Sequence, residues 1–253
     1  NKILLRNIIL LIIILIILYE LYMNRRELIY RIKSGSRGRI VKGFPTPIYI
    51  INKLYIIINK IIEENKDKTF TFIDIGSSRG DIIKYICQEN NIYKNCLCLN
   101  KDSVNSFCFY YPHIIYKQKY KNPFNKCYGI EIDNKLHNIA KRNNINNIKN
   151  IMINTDATKY NYKDIPSIFY LFEPFAQGSS QSQISSSLKL YDKLLKKISS
   201  IKNKVYIIYV TGDLLFGFSQ ISKKMLDKYN FKIVKKYNIG TLIFRRNIYV
   251  ITK

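Results

Sequence analysis

The stretch Phe72-Ile73-Asp74-Ile75-Gly76-Ser77-Ser78-Arg79-Gly80-Asp81 decides the fold of this chain of 253 residues. Its first residues belong to a short apolar strand, Thr71 to Ile75, and the glycines that follow indicate a tight turn. Asp81 to Cys87 is then predicted to be a helix. A glycine-bearing turn between a strand and a helix lets the backbone approach a ligand closely at the carboxyl edge of a sheet. The stretch therefore predicts the first strand–turn–helix unit of an α/β domain.

Strands and helices alternate along the rest of the chain. Short apolar runs predict strands, and apolar residues three or four positions apart predict helices. This alternation is typical of a parallel sheet covered by helices, and the last two strands are expected to close it as an antiparallel pair. The other predicted strands are 127–132, 148–153, 167–172, 205–210, 231–237 and 247–252, and the other predicted helices are 48–64, 135–142, 185–199 and 225–229.

Polar residues recur where these strands end. An acidic residue at the end of the second strand, Glu131, can accept hydrogen bonds from both hydroxyls of a ribose. A carboxylate after the third, Asp156, can face an adenine amino group. Because the carboxyl ends of parallel strands meet at one edge of the sheet, these residues are expected to converge on one crevice. The three segments are Gly129-Ile130-Glu131-Ile132-Asp133, Asn154-Thr155-Asp156-Ala157 and Tyr170-Leu171-Phe172-Glu173-Pro174-Phe175.

The ordered set DIGSSRG, GIEID, TDA and LFEPF resembles motifs I to IV of the class I, S-adenosylmethionine-dependent methyltransferases, over residues 45–253. The resemblance implies a Rossmann-like, seven-stranded methyltransferase sheet, mostly parallel with an antiparallel C-terminal edge. It also implies that S-adenosylmethionine is the cofactor. In this family the fourth motif lies beside the transferred methyl group and the acceptor, which makes Glu173 and Phe175 the expected catalytic residues. The implied cofactor-binding residues are Asp74, Gly76, Ser77, Ser78 and Gly80 for the methionine part, Glu131 for the ribose, and Asp156 with the Ala157 backbone for adenine.

The expected methyl acceptor is a protein amine, such as a lysine, because Glu173-Pro174-Phe175 resembles an amine-positioning loop. RNA is the alternative acceptor, since the chain is basic and tyrosine-rich. Two positions depart from the family pattern: Ser78 replaces the middle glycine of the turn, and Glu173 stands where Asn or Asp is common. A further alternative is therefore a catalytically inactive module of the same fold that binds nucleic acid or anionic lipid.

A hydrolase is the competing enzyme class. Residues Gly76 to Gly80 also fit G-x-S-x-G, the nucleophile elbow of α/β-hydrolases. That fold needs an acid and then a histidine on a late strand, but the histidines after the serine are His113 and His137. Both come too early in the chain to serve as the base, which argues against a hydrolase.

The N-terminal segment is predicted to be a membrane anchor. Ile8 to Leu18 is an unbroken run of Ile and Leu, and the predicted anchor comprises residues 1–23. A helix from Ile3 to Met23 would be about 30 Å long, the thickness of a hydrocarbon core. A signal peptide is disfavoured because no small-residue cleavage site follows Leu18, and a buried helix would need a partner on every face. The basic linker 24–44 then places the domain 45–253 on the cytosolic side of a single-pass membrane protein.

Charge and cysteine content give weaker information about the class of protein than the motifs do. Lys and Arg number 42 against 17 Asp and Glu, a formal charge of +25, which favours anionic partners. An excess of Ile, Lys, Asn and Tyr without Trp also fits an AT-rich coding sequence, so the charge alone names no partner. The odd number of cysteines, five, favours free thiols in a reducing compartment over a disulfide framework, and their spacing lacks the paired knuckle of a zinc site.

One connection is far longer than usual. About 36 residues, from about 91 to 126, separate the helix after the glycine turn from the second strand of the sheet. They are rich in Tyr, Asn, Lys and Cys. A functional insertion and a disordered elaboration are both compatible with this composition, and an ordered surface insertion in the domain is the favoured prediction.

Overall fold

The computed structural model describes residues 2–23, 46, 48–87, 90–94, 96–98, 108–110, 116–120, 122–144, 148–175, 180–211, 221–240 and 245–253. Within these ranges the helices are α1 (Lys2–Met23), α2 (Ile48–Glu63), α3 (Asp81–Cys87), α4 (Asn134–Asn143), α5 (Gln181–Ser199) and α6 (Lys223–Asp227). The strands are β1 (Thr71–Ile75), β2 (Asn90–Lys94), β3 (Cys96–Cys98), β4 (Cys108–Tyr110), β5 (Tyr116–Tyr120), β6 (Cys127–Glu131), β7 (Asn150–Asn154), β8 (Ser167–Phe172), β9 (Val205–Thr211), β10 (Lys232–Gly240) and β11 (Arg245–Thr252).

Apolar strands form one seven-stranded sheet in the order β10-β11-β9-β8-β1-β6-β7. The five strands from β9 to β7 run parallel, whereas β11 is antiparallel to β9 and β10 to β11. Every residue of β1, β6 and β9 is buried, as expected for parallel strands that are covered on both faces. The predicted Rossmann-like sheet with an antiparallel C-terminal edge is confirmed.

Helices cover both faces of this sheet. On one face, α2 and α3 form a core with residues such as Phe72 and Ile208. On the other, α5 and α6 form a second core with their chain neighbours Ile73 and Ile207, since successive residues of a strand face opposite sides. From β1 the chain continues to β6 and β7 in one direction and later to β8 and β9 in the other, so the strand order reverses beside β1. Open α/β sheets bind ligands at such a reversal, outside the carboxyl ends of the strands.

The insertion contains four short strands that the sequence did not predict. β2 pairs with β5, and β3 pairs with β4, both antiparallel and outside the main sheet. The insertion therefore leaves the domain after α3 and returns to it before β6.

A disulfide joins the two ends of this insertion. Cys87, the last residue of α3, is bonded to Cys127, the first residue of β6, and both are fully buried. The prediction of free thiols in a reducing compartment is thus wrong for this pair. The cysteine count could not reveal the bond, because the two residues are 40 positions apart in sequence and meet only where α3 packs on β6.

We expect the double variant Cys87→Ala and Cys127→Ala to lower the free energy of unfolding by about 2–4 kcal/mol, the usual contribution of a disulfide that closes a long loop. Denaturant unfolding of the full chain, with and without a thiol reductant, would measure the loss. The reductant should destabilise the wild type by a similar amount and leave the double variant unchanged. Equal stability of the oxidised wild type and the variant would contradict this expectation.

The predicted membrane anchor is not supported by the structure. None of the helices in the described ranges is both long and apolar enough to cross a membrane.

Candidate functional site

The turn between β1 and α3 adopts a left-handed backbone at three positions. Gly76 has φ 73°, Ser78 has φ 52° and Gly80 has φ 75°. A Cβ on Gly76 would lie 3.0 Å from the Pro174 Cβ, so this glycine lets the turn touch the segment after β8. Ser78 takes the same conformation despite its side chain, which costs roughly 1–2 kcal/mol. Strain of this kind concentrates at ligand-binding turns.

Glu131 connects the end of β6 to this turn. Its Oε2 accepts a hydrogen bond from the Ser78 amide at 2.8 Å, and its Oε1 accepts one from the Asp133 amide at 2.8 Å. The side chain is only 7 % exposed. Both carboxylate oxygens are therefore fixed in place, with lone pairs left for further donors.

An open cleft lies beside the turn, on the side of the sheet covered by α2 and α3. The cleft is open to solvent and shallow. Four of the predicted cofactor-binding residues line it, together with residues of β8 and α3. The full lining is Thr46, Asp74, Ile75, Gly76, Ser77, Ser78, Asp81, Ile82, Tyr170 and Phe172.

Asp74 is the buried acid of this cleft. It is 3 % exposed and lies in β1 between Gly129 and Tyr170 of the neighbouring strands. Burial raises the pKa of the Asp74 carboxyl well above its usual value, and the charges of Glu131 and Asp81 raise it further. A cation in the cleft would favour the ionised form of Asp74.

The segment after β8 brings Glu173 beside the turn. Glu173 is half-buried and has φ 46°, and the next residue, Pro174, is the one that meets Gly76. Burial raises the pKa of the Tyr209 hydroxyl, and the Glu173 charge raises it further. Glu173 thus lies next to the glycine turn in the chain segment that contacts it, and its charge acts on a tyrosine of β9.

Phe175, the other predicted catalytic residue, packs on α5. Its ring contacts the Tyr191 ring edge-on at 5.1 Å, and its carbonyl accepts a hydrogen bond from the Ser187 hydroxyl at 2.6 Å. Phe172 lines the cleft on the other side of Glu173. The structure therefore places Phe175 in the packing that supports Glu173.

Asp156 and Ala157 lie in a turn after β7. The Asp156 Oδ1 accepts hydrogen bonds from the amide and the hydroxyl of Thr158, both at 2.8 Å. Ala157 is 7 % exposed, and its carbonyl accepts a bond from the Tyr162 hydroxyl at 2.8 Å. Asp156 thus closes a turn of its own, next to Glu131 along the carboxyl edge but outside the lining of the cleft.

Sequence reasoning missed several residues of this region. Thr46 precedes α2, and its hydroxyl lies 3.4 Å from the Tyr170 hydroxyl, 124 positions away in sequence; no local signal indicates that contact. Ile132 is 70 % exposed between Glu131 and Asp133. The sequence pattern placed Ile132 inside the predicted strand 127–132, and the strand ends one residue earlier, at Glu131.

The described residues contain no group of three or more His, Cys, Asp or Glu that could hold a metal ion. Three features meet at the carboxyl edge. They are the Glu131 carboxylate, which two backbone amides hold in place, the buried carboxyl of Asp74, and the left-handed backbone of the glycine turn. This arrangement can bind an organic ligand that carries hydroxyl and ammonium groups.

Comparison with known proteins gives the fold a precedent. No protein-family profile and no curated protein match the chain. Magnesium protoporphyrin IX methyltransferase from Synechocystis PCC 6803 with bound S-adenosylhomocysteine is similar in structure, with a TM-score of 0.53, 10 % identity, and coverage of 93 % of this chain and 98 % of that one. The same enzyme with bound S-adenosylmethionine gives 0.50 at 11 % identity, over 93 % and 95 %. The chain therefore has the fold of the class I, S-adenosylmethionine-dependent methyltransferases.

Proposed function

We propose that this chain is an S-adenosylmethionine-dependent methyltransferase. The observation that carries the proposal is the pair of hydrogen bonds that fix Glu131 between Ser78 and Asp133 at the point where the strand order reverses. A carboxylate held there, with lone pairs to spare, suits the two hydroxyls of a ribose. The glycine turn beside it allows the close backbone approach that such a ligand needs.

The residues present fit the parts of this cofactor. Asp74 and the cleft beside it would take the methionine part, whose ammonium group suits a buried carboxyl. Glu131 would hold the ribose. Adenine would lie along the edge between the exposed Ile132 side chain and Asp156.

The bound cofactor would supply an electrophilic methyl group on a sulfonium. The protein would then act mainly by aligning the acceptor and excluding water. Glu173 is suited to orient the acceptor, since the Pro174–Gly76 contact keeps it next to the turn. The ring of Phe175 holds this segment against α5, which supports a positioning role for that residue.

The acceptor we propose is a protein amine, because an anionic Glu173 can accept hydrogen bonds from an ammonium or amine group. RNA is the second candidate, supported by the formal charge of +25 and by its attraction for phosphates. A catalytically inactive module that binds nucleic acid or anionic lipid is the third, supported by the two departures at Ser78 and Glu173.

Calorimetry of the full chain with S-adenosylmethionine tests the cofactor, and transfer of a labelled methyl group to a cell extract tests the acceptor. If protease treatment releases the label, the acceptor is a protein, as proposed. If ribonuclease treatment releases it, the acceptor is RNA. Binding without transfer would support the inactive module. Absence of binding by a folded chain would overturn the proposal.

Glu173→Gln separates binding from transfer, because it keeps the side-chain length and removes the charge. We expect it to bind S-adenosylmethionine like the wild type and to transfer the methyl group at least about tenfold more slowly, the loss of a hydrogen bond to a charged group. Glu63→Gln, at the exposed end of α2, is the matched control. Unchanged transfer by Glu173→Gln would remove this residue from the mechanism.

We also propose that the chain works at the cytosolic face of a membrane. The proposal is supported by the Ile and Leu side chains from Leu4 to Leu18, which are 40–62 % exposed, a larger apolar surface than soluble monomers usually present. Fractionation of cells that express the full chain, followed by alkaline carbonate extraction, tests it. Recovery of the chain in the soluble fraction would contradict it.

A further inference from the structure

The C-terminal end of α4 contacts the glycine turn through two asparagine side chains. The Asn143 amide donates a hydrogen bond to the Arg79 carbonyl at 3.0 Å. The Asn144 amide donates to the Gly80 carbonyl at 3.3 Å and to the Ala140 carbonyl of its own helix at 2.9 Å. Consecutive carbonyls of the turn are thus bonded to the last residue of α4 and to the residue that follows it, each 64 positions further along the chain.

A further hydrogen bond holds the Asn144 side chain in place. It is 3 % exposed, and its Oδ1 accepts a hydrogen bond from the Asn150 amide, at the start of β7, at 3.1 Å. A Cβ on Gly80 would lie 2.5 Å from the Asn144 Nδ2. The glycine is therefore required for this contact as well as for its left-handed backbone.

The same turn is bonded on its other side to Glu131. The Ser78 amide donates to Glu131, while the carbonyls of Arg79 and Gly80 accept from α4. Three consecutive residues of a strained turn are thus fixed from opposite sides, and the Gly80 amide closes it by donating to the Ser77 carbonyl at 2.8 Å. A turn that is fixed before the ligand arrives does not have to be ordered when the ligand binds.

We propose that Asn143 and Asn144 are positioning residues that hold residues 78–80 in the conformation that binds the cofactor. This inference rests on the proposed function. Neither side chain needs to touch the cofactor, since both act through the backbone carbonyls of the turn. Asn143 is the better residue to test because its side chain is exposed, whereas replacing the buried Asn144 would also remove core contacts.

Asn143→Ala in the full chain should weaken S-adenosylmethionine binding about 2- to 13-fold, the range expected for one lost hydrogen bond. Its thermal unfolding midpoint should stay close to that of the wild type, because an exposed side chain contributes little to stability. Asn143→Asp offers a second variant of the same size, whose carboxylate cannot donate to the Arg79 carbonyl, and it should weaken binding at least as much.

Asn138→Ala is the matched control. Asn138 lies in the same helix and is exposed, and its amide donates to Asn134 within that helix at 3.4 Å. We expect it to bind S-adenosylmethionine with the wild-type affinity. Wild-type affinity in both Asn143 variants, or a loss that Asn138→Ala shares, would overturn the inference. A wild type that does not bind S-adenosylmethionine would instead overturn the proposed function.

Discussion

Glu131→Gln is expected to weaken S-adenosylmethionine binding roughly 10- to 150-fold. The wild-type carboxylate accepts hydrogen bonds from Ser78 and Asp133 with different oxygens. A glutamine amide has one oxygen, so its NH₂ group would face one of these N–H donors. The variant would lose that bond and, in the proposed complex, at least one bond to the ribose. The bond to the backbone N–H is present with and without the cofactor, so its loss affects stability and not Kd. The lost bond to the ribose, a hydrogen bond to a charged group worth about 1.5–3 kcal/mol, corresponds to roughly 10- to 150-fold in Kd.

The same substitution should lower the free energy of unfolding by about 1–3 kcal/mol, because it leaves a backbone N–H of a part-buried site without an acceptor. Calorimetry and denaturant unfolding of the full chain measure the two effects separately. Glu63→Gln makes the same change of charge at an exposed position of α2. It should change neither the affinity for S-adenosylmethionine nor the free energy of unfolding. A Kd for Glu131→Gln within about twofold of the wild-type value would remove Glu131 from the cofactor site.

Local sequence patterns predicted the parts of the fold whose limits are set by local chemistry. The observed bounds of β1, α3 and β8 are those expected from the sequence. Each begins or ends at a glycine, a proline or the edge of an apolar run, and these signals act over a few residues. The four strand-end motifs also converge at one edge, because the parallel order of the strands follows from the alternation of elements.

The start of α5 shows a local signal that was overlooked. The helix begins at Gln181, although apolar periodicity predicted a start at Ser185. Ser180 and Gln183 form a capping box, in which each side chain bonds the backbone of the other. The S-x-x-Q pattern is typical of this arrangement. The first turn of the helix is polar, however, so apolar periodicity could not indicate where the helix begins.

Other features depend on contacts that are distant in sequence. β2 and β5 consist largely of Asn, Lys, Gln and Tyr, and only their pairing with each other makes them strands. The Cys87–Cys127 disulfide and the contact of Thr46 with Tyr170 likewise join distant positions. Asp156 satisfies a motif in sequence while it caps its own turn in the structure, since a strand-end carboxylate can serve either purpose.

The second large effect concerns Asp74, where stability and binding are expected to change in opposite directions. Asp74→Asn replaces a buried carboxyl with a neutral group of the same size. The pKa of Asp74 is raised mainly by burial, and also by the charges of Glu131 and Asp81. The folded protein therefore favours the neutral form, and the wild type loses stability as the pH rises from the unfolded pKa, near 4, through the higher folded pKa.

The variant cannot ionise at this position and avoids that loss. Its free energy of unfolding should match that of the wild type in acid and exceed it at higher pH, by an amount of the order of 1 kcal/mol. Denaturant unfolding across this pH range measures the difference. Asp227→Asn, at an exposed position at the end of α6, serves as the control and should show no such divergence. A constant difference at every pH would mean that ionisation of Asp74 does not cause the effect.

Binding should change the other way, because an ammonium group in the cleft would pair with the ionised carboxylate. Loss of a hydrogen bond to a charged group, about 1.5–3 kcal/mol, corresponds to roughly 10- to 150-fold weaker S-adenosylmethionine binding by Asp74→Asn. In the wild type, binding near the folded pKa of Asp74 should release a proton, which calorimetry in buffers of different ionisation enthalpy detects. A variant that is more stable but binds as tightly as the wild type would separate Asp74 from the cofactor. Lower stability together with weaker binding would instead make Asp74 a structural residue of β1.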